Sequence, residues 1–139
     1  MKLEIMLDTG AFYPERAHAD DAGLDLLSPY AVTIGWDDSI VIDTGVHVNI
    51  PKGYAGLIKS KSGLMVNKGI ISVGGVIDAG YTGSIKVVLR NTSKKSYWIE
   101  RGDKITQLLI IPIETPDLEL VDGFAETERG ANGFGSSGR

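Results

Sequence analysis

The chain contains no cysteine among its 139 residues, so disulfides, thiolate metal sites and cysteine nucleophiles are excluded. It has only two histidines, His18 and His47, and a histidine-rich zinc site is therefore not expected. No run of about 18 apolar residues occurs, and the N-terminus lacks the apolar region of a signal peptide. These absences predict a soluble protein without membrane contact, in the cytoplasm or, if it is viral, in the host cytoplasm.

The chain also lacks an excess of positive charge, with 14 lysines and arginines against 18 acidic residues and a net charge of −4. A broad cationic surface for nucleic acid is therefore not expected. Local cations can still bind a small polyanion, and Lys59, Lys61 and Lys68 form one such group, with Arg129 as another. The charge balance disfavours nucleic-acid binding and leaves nucleotide binding open.

Long helical patterns are scarce, whereas the alternation typical of strands is frequent: Val46, Val48 and Ile50 are separated by polar residues. Glycine turns delimit short β-type segments near 3–7, 24–27, 31–34, 40–43, 46–50, 54–60, 70–77, 84–90, 96–99 and 104–113. One helical turn is predicted around Ser62–Lys68, with Ser62 as its cap. The pattern predicts an all-β sandwich, jelly roll or barrel in one domain, residues 1–125, followed by a separate tail, residues 126–139.

The most informative segment runs from Gly75 to Gly83 and places Asp78 three residues before Tyr81 between glycines. We expect a hairpin that presents an acid and a flat ring on a stiff support. Such a pair suits a site that activates water and packs against a sugar or base. The alternative is an Asx-type turn in which Asp78 bonds to its own backbone and Tyr81 is ordinary packing.

The predicted strand 104–113 is aliphatic on both faces, which in a small chain indicates a subunit interface. Gln107 is expected on the same face as Ile105 and Leu109, where its amide needs a hydrogen-bonding partner. It is either a core amide bonded to backbone or a functional group.

The tail from Glu128 to Arg139 is rich in glycine and serine, with Phe134 as its one aromatic residue. As a free segment it is expected to be disordered. It can also serve as a closing flap, because Arg129 can fork onto a phosphate and the Phe134 ring can cover a base. Both interpretations remain open on composition alone.

Short blocks in this order resemble the trimeric dUTPase family, the dUTP nucleotidohydrolases, from Ala22 to Gly138. The blocks are Ala22-Gly23-Leu24-Asp25-Leu26, Pro51-Lys52-Gly53 with Lys61-Ser62-Gly63-Leu64, Gly75 to Gly83, Arg101-Gly102-Asp103-Lys104-Ile105-Thr106-Gln107-Leu108, and Arg129-Gly130 with Gly133-Phe134-Gly135-Ser136-Ser137-Gly138. The resemblance implies a distorted jelly-roll or β-clip barrel that assembles as a homotrimer with shared active sites. It further implies Mg²⁺-dependent hydrolysis of dUTP to dUMP and pyrophosphate, which limits uracil incorporation into DNA and supplies dUMP for dTMP synthesis.

The resemblance also implies roles for individual residues. Asp78 would be the general base for water attack on the α-phosphate, and Tyr81 would lie against the deoxyribose and exclude a 2′-hydroxyl. Asp25 would reach the metal indirectly, through water. Main-chain groups from about Ser72 to Val76 would read the uracil edge, with help from Lys86, and Ile77 would also bind substrate. The remaining substrate-binding residues would be Lys61, Ser62, Gly63 and Gln107 for the phosphates, and Arg129, Phe134, Gly135, Ser136 and Ser137 from the tail.

Three positions depart from the family pattern. Lys61 stands where arginine is usual, so a point charge replaces bidentate phosphate binding and the usual contact to Asp25. Gly80 stands where aspartate is common, and Ser72 where asparagine is common. The alternatives are a dCTP deaminase-like enzyme, a dUTP-binding regulatory protein without turnover, and a structural β-clip module. Asp78 followed by Tyr81 argues against the deaminase.

Overall fold

The computed structural model describes residues 1–135, 137 and 138, and these contain strands together with one short helix. The strands are β1 (Glu4–Leu7), β2 (Gly23–Leu27), β3 (Val32–Ile34), β4 (Ser39–Asp43), β5 (Val46–Asn49), β6 (Tyr54–Lys59), β7 (Ile70–Ser72), β8 (Val76–Ile77), β9 (Lys86–Asn91), β10 (Tyr97–Ile99) and β11 (Lys104–Pro112). The helix is α1 (Ser62–Lys68). The predicted all-β class is confirmed.

Two larger sheets form the body of the domain. One contains four strands in the order β2-β11-β6-β8, and the other contains three in the order β4-β9-β7. Two-stranded ribbons, β1-β5 and β10-β3, complete the strand pairings. These pairings are all antiparallel. The chain therefore crosses repeatedly between sheets, as expected of a β-sandwich or jelly roll.

The core lies where the predicted alternation turns aliphatic side chains inward. Val46, Val48 and Ile50 are no more than 2% exposed, as their spacing predicts. Ile85 and Leu89 are fully buried with the other core aliphatics, which include Leu26, Ile34, Ile42 and Val87. At roughly 1.5–3 kcal/mol for each fully buried aliphatic side chain, this cluster is the main stabilising feature of the domain.

Helix α1 follows β6, and its N-cap residue lies one position before the predicted cap. Lys61 is the N-cap residue, and no side-chain hydrogen bond caps the helix, so the prediction that Ser62 is the cap is wrong. The helix ends at Gly69, which has φ of 70° and whose N–H donates to the Leu64 and Met65 carbonyls. Glycine suits this left-handed position because it has no Cβ.

The expected hairpin at Gly75–Gly83 is not a hairpin. Strand β8 pairs with β6, whereas the strand that follows, β9, pairs with β4 and β7. The predicted strand 70–77 is accordingly two strands, β7 and β8, that belong to different sheets. The residues from Asp78 to Gly83, called the Asp78 turn below, therefore connect one sheet to the other.

A β-bulge near the start of β11 changes which side chains share a face. The register with β2 shifts between Lys104 and Thr106, and Ile105 joins Leu108 in the core. The expectation that Gln107 shares the face of Ile105 is therefore wrong. Gln107 is half-buried on the opposite side of the sheet from Leu108.

Beyond β11 the chain leaves the body of the domain. Leu118, Leu120 and Phe124 are 97%, 99% and 94% exposed. The last strand ends at Pro112, so the predicted boundary at residue 125 stays a prediction. No helix among the described residues is long and apolar enough to cross a membrane.

Candidate active site

A polar cleft of about 290 Å³ opens where β2, β11 and the start of α1 meet. Several predicted phosphate-site residues line it together. The lining residues are Ala17, Asp21, Ala22, Gly23, Asp25, Lys61, Ser62, Gly63 and Gln107. The structure therefore brings together residues that lie far apart in the sequence and that were predicted to hold phosphates.

The register of the four-stranded sheet explains why Gln107 lies beside Asp25. Gln107 on β11 pairs with Asp25 on β2 and with Lys59 on β6, so the three side chains point to the same side of the sheet. The Gln107 amide donates to the Ser60 carbonyl at 3.0 Å. Its oxygen lies over Gly23, where an added Cβ would approach to 2.2 Å. Gly23 thus leaves the space that the amide occupies.

Asp25 is the buried charge of this cleft, with its side chain 7% exposed. Lys61 donates to its Oδ1, and Lys104 donates to its Oδ2 at 3.0 Å. Lys104 also reaches Glu15 at 3.2 Å. Burial alone would raise the pKa of the Asp25 carboxyl, but the two lysines outweigh burial and hold that pKa below its ordinary value.

Two sequence expectations are revised at this carboxylate. Lys61, although it replaces the usual arginine, still contacts Asp25. Lys104 was not predicted as a site residue, yet it holds the second oxygen. The available signal was a lysine at the start of an otherwise apolar strand, but only the pairing of β11 with β2 shows which carboxylate it meets.

The donor set fits Mg²⁺ only as an ion that binds chiefly to the substrate. No group of three or more histidine, cysteine, aspartate or glutamate residues that could hold a metal occurs within residues 1–135, 137 and 138. Both oxygens of Asp25 already accept from lysines. Because Mg²⁺ keeps several waters and needs few protein ligands, Asp25 can reach such an ion through water.

Asp78 lies on the surface, in a β-turn closed by the Tyr81 N–H donating to the Asp78 carbonyl at 3.2 Å. In the part of the chain that the structure describes, no hydrogen bond engages its carboxylate, so the Asx-type turn is not found. The Tyr81 hydroxyl donates to the Ser84 carbonyl at 3.1 Å, and an added Cβ at Gly83 would approach it to 2.5 Å. The ring thus lies across the end of its own turn, 45% exposed.

The predicted uracil-contacting residues lie on neighbouring strands around this turn. Ser72 is half-buried on β7; its N–H donates to Ser60, and its hydroxyl bonds to that of Thr106 at 2.7 Å. Val76 is 64% exposed, whereas Ile77 is 9% exposed and belongs to the core. Lys86 is exposed at the start of β9. Ser72 therefore also joins β7 to β11.

The cleft and the Asp78 turn are separate within one chain. The distance from Gln107 to Ile77 follows from the strand register. Gln107 on β11 pairs with Lys59 on β6, and Gly56, three residues earlier on β6, pairs with Ile77 on β8. With standard strand spacings this is about 14 Å. Neither Asp78 nor Tyr81 lines the cleft. A single chain therefore does not bring the predicted base to the predicted phosphate site.

Among the described residues, the predicted tail residues line neither the cleft nor the Asp78 turn. Arg129 donates within the tail, to the Asn132 carbonyl at 2.9 Å. Phe134, Gly135 and Ser137 are exposed. Ser136 lies outside the described residues.

Comparisons with known proteins agree on one family. Residues 10–138 match the dUTPase family. A deoxyuridine 5′-triphosphate nucleotidohydrolase of Mycolicibacterium gilvum is 44% identical over 142 residues, covering 96% of this chain and 92% of the relative. The dUTPase of Staphylococcus bacteriophage 80alpha, solved with dUpNHpp, superposes with a TM-score of 0.94 at 36% identity, and the match covers 99% of each chain.

A second solved structure bears on the metal. A point mutant of the dUTPase from phage phi11 of S. aureus, whose structure describes the coordination of a structural Mg(II) ion, matches with a TM-score of 0.85 at 33% identity. The match covers 91% of this chain and all of that one. The likeness to these structures confirms the predicted jelly-roll fold.

Proposed function

This chain belongs to the dUTPase family, and on that basis we propose that it hydrolyses dUTP to dUMP and pyrophosphate. The observation that carries the proposal is the family match over residues 10–138, with relatives named for this activity. The deaminase and the regulatory protein without turnover gain no support from these matches. The polar cleft around Asp25 adds physical support, since it is lined by Lys61, Ser62 and Gly63, which suit phosphate oxygens.

In this proposal the cleft binds the phosphate chain. Lys61 supplies a positive charge, Ser62 and Gly63 supply a hydroxyl and an accessible backbone, and the Gln107 amide lies beside them. Mg²⁺, when bound with dUTP, neutralises phosphate charge and orients the chain of phosphates. Asp25, whose carboxylate is fixed by two lysines, would hold that ion through water.

Asp78 is the proposed general base. It accepts a proton from a water whose oxygen bonds to the α-phosphorus, while the bond from that phosphorus to the bridging oxygen breaks and pyrophosphate leaves. Its exposed carboxylate supports this role. Tyr81 packs against the deoxyribose so that a ribose 2′-hydroxyl does not fit. Main-chain groups from about Ser72 to Val76 contact the uracil edge, with Lys86 beside them.

We further propose a homotrimer in which different subunits supply the cleft and the Asp78 turn. The distance of about 14 Å from Gln107 to Ile77 supports this, because one phosphate chain must contact both places. The exposed Leu118, Leu120 and Phe124 also support it, since such residues usually mark an interface.

The tail then closes over the site, with Phe134 on uracil and Arg129, Gly135, Ser136 and Ser137 near the phosphates.

One assay tests the reaction. The pure protein is incubated with Mg²⁺ and dUTP, dCTP, UTP or dTTP, and pyrophosphate and ammonia are measured. We expect pyrophosphate from dUTP and from none of the other three. Ammonia from dCTP would establish the deaminase, and dUTP that binds but stays intact would establish the regulatory protein.

The base is tested by Asp78→Asn. We expect turnover to fall by about 10²–10⁴, the usual contribution of a general base, with dUTP binding retained. Asp37→Asn is the matched control, because Asp37 is an exposed aspartate paired with Arg90 away from both places. Unchanged turnover in the Asp78 variant would remove the general-base role.

A further inference from the structure

The end of the Asp78 turn is fastened to the segment Asp43–His47, which joins β4 to β5. Thr44 donates to the Ile85 carbonyl from its N–H at 3.0 Å and from its hydroxyl at 2.8 Å. The Ile85 N–H donates to the Val46 carbonyl at 2.8 Å. These bonds fix the position of Ile85. The residues nearer Tyr81 are held by side-chain contacts.

Two side chains hold that part of the turn. The Ser84 hydroxyl donates to the Asp43 carboxylate, which also accepts from the Gly45 N–H at 3.1 Å. On the other side of Gly83, the His47 Nδ1 lies 2.7 Å from the Thr82 carbonyl oxygen. Because Thr82 is directly bonded to Tyr81 in the chain, this bond positions the backbone on which the ring depends.

His47 meets hydrogen-bond acceptors at both ring nitrogens. Its Nδ1 faces the Thr82 carbonyl, and its Nε2 lies 3.1 Å from Asp8 Oδ1. Only the doubly protonated ring can donate to both. Asp8 is itself anchored, because its N–H donates to the Gly45 carbonyl at 2.8 Å. The His47 side chain is 17% exposed, so the ring is mostly buried where it makes these contacts.

The charges around the ring favour its positive form. Asp8 follows β1, Asp43 ends β4, and Glu4 of β1 lines the same shallow pocket as His47. The opposing positive charge is Lys86 on β9, which interacts electrostatically with Asp43. The bonds to the Thr82 carbonyl and the Asp8 carboxylate raise the pKa of His47 above its ordinary value.

We propose that protonated His47 is a positioning residue that holds Thr82, and through it Tyr81 and Asp78, in the geometry that binds dUTP. This rests on the proposed function, since it takes Tyr81 to be the sugar contact. A group whose pKa is raised in the folded protein stabilises that structure fully at pH values below its ordinary pKa. This stabilisation is lost as the pH rises through the raised pKa. When the ring loses one proton, one of its nitrogens faces an acceptor but has no hydrogen to donate. Dissociation of dUTP should therefore become easier at higher pH.

Nuclear magnetic resonance tests the attachment without substrate. The full chain carries only one other histidine, His18, so His47→Gln assigns the His47 ring signals. In ¹H–¹⁵N spectra recorded against pH, we expect His47 to titrate above its ordinary pKa of 6.5. The amide signals of Tyr81–Ser84 should follow the His47 midpoint, and Asp8→Asn should lower that midpoint. A His47 midpoint at or below pH 6.5, or turn amides that ignore the His47 titration, would overturn the proposal.

Kinetics test the consequence for substrate. His47→Gln keeps a donor but removes the titration, so we expect KM for dUTP to rise about threefold to tenfold near pH 6, the effect of one hydrogen bond, with kcat changed much less. The rise of KM with pH in the unaltered chain should disappear. His18→Gln is the matched control and should behave as the unaltered chain. A His47 variant that keeps the pH dependence of KM would refute the positioning role.

The two tests separate this proposal from the function on which it rests. If the turn amides follow His47 while dUTP stays intact, the attachment stands and the proposed hydrolysis falls. If dUTP is hydrolysed while the turn amides ignore His47, the hydrolysis stands and the positioning role falls.

Discussion

Asp25 is a buried carboxylate whose two oxygens are held by two lysines rather than by one arginine. A buried charge is costly unless it is paired and fully hydrogen-bonded, and here Lys61 and Lys104 each supply a donor. Both lysines remain partly exposed, with side chains 26% and 37% accessible. Lys61, which lines the cleft, can therefore help to neutralise Asp25 and still present positive charge there.

This arrangement predicts how acid affects stability. The pKa of Asp25 is lower in the folded chain than in the unfolded chain, so the unfolded chain binds the proton first as pH falls. The stabilisation is present above the ordinary value of 3.8 and is lost as pH falls below it towards the lowered value. We expect Asp25→Asn to reduce the free energy of unfolding at neutral pH by about 1.5–3 kcal/mol, the contribution of hydrogen bonds to a charged group.

Urea unfolding at fixed protein concentration measures the effect at neutral pH and again near pH 3. Asp25→Asn should lose less stability than the unaltered chain over that interval, because the titrating group is gone. Asp37→Asn removes an exposed aspartate and should change stability by about 0.5 kcal/mol or less at either pH. An Asp25 variant with the same acid sensitivity as the unaltered chain would contradict the assignment of the pKa shift.

At the scale of elements, alternation predicted the strands because burial of one face is a local property of the sequence. The inward side chains of β5 and those at 85, 87 and 89 follow the predicted spacing. Partner choice is not local, and the predictions that depended on it were wrong. The Gly75–Gly83 segment has turn residues typical of a hairpin, yet β8 and β9 join different sheets. The bulge near Lys104 likewise arises only when β11 aligns with β2.

The Asp78 turn depends on close packing between Tyr81 and Gly83. A Cβ added at position 83 would lie 2.6 Å from the Tyr81 ring carbon that bears the hydroxyl. We expect Gly83→Ala to displace the ring without unfolding the chain, since the ring is exposed at its edge and can move. Discrimination between dUTP and UTP, measured as the ratio of kcat/KM, should fall about threefold to tenfold, the worth of one aromatic contact.

Gly123→Ala is the matched control for that substitution. Gly123 lies in the exposed segment after β11, and a Cβ there meets nothing within 4 Å. This variant should keep the dUTP/UTP ratio of the unaltered chain. If Gly83→Ala also keeps that ratio, the ring does not act as the barrier to ribose.

At the scale of the whole molecule, the sequence predicted five of the residues that line the cleft but not how they are held. Asp25, Lys61, Ser62, Gly63 and Gln107 were all predicted and line one cleft. Lys104 and His47 were not, because their roles arise from contacts between residues far apart in the chain, 79 positions from Asp25 to Lys104. The family motifs thus identified residues that line the cleft more readily than the residues that hold them.

The tail should affect turnover without affecting the fold. Among its described residues the hydrogen bonds are local, as between Arg129 and Asn132, and Phe134 is fully exposed. We expect truncation after Glu128 to leave the proposed trimer and the thermal midpoint unchanged, with kcat reduced about a hundredfold or more because closure over the substrate is lost. Light scattering and calorimetry measure the first two quantities and steady-state kinetics the third. Phe134→Ala should account for part of the loss, and full activity in the truncated chain would show that the tail is not a flap.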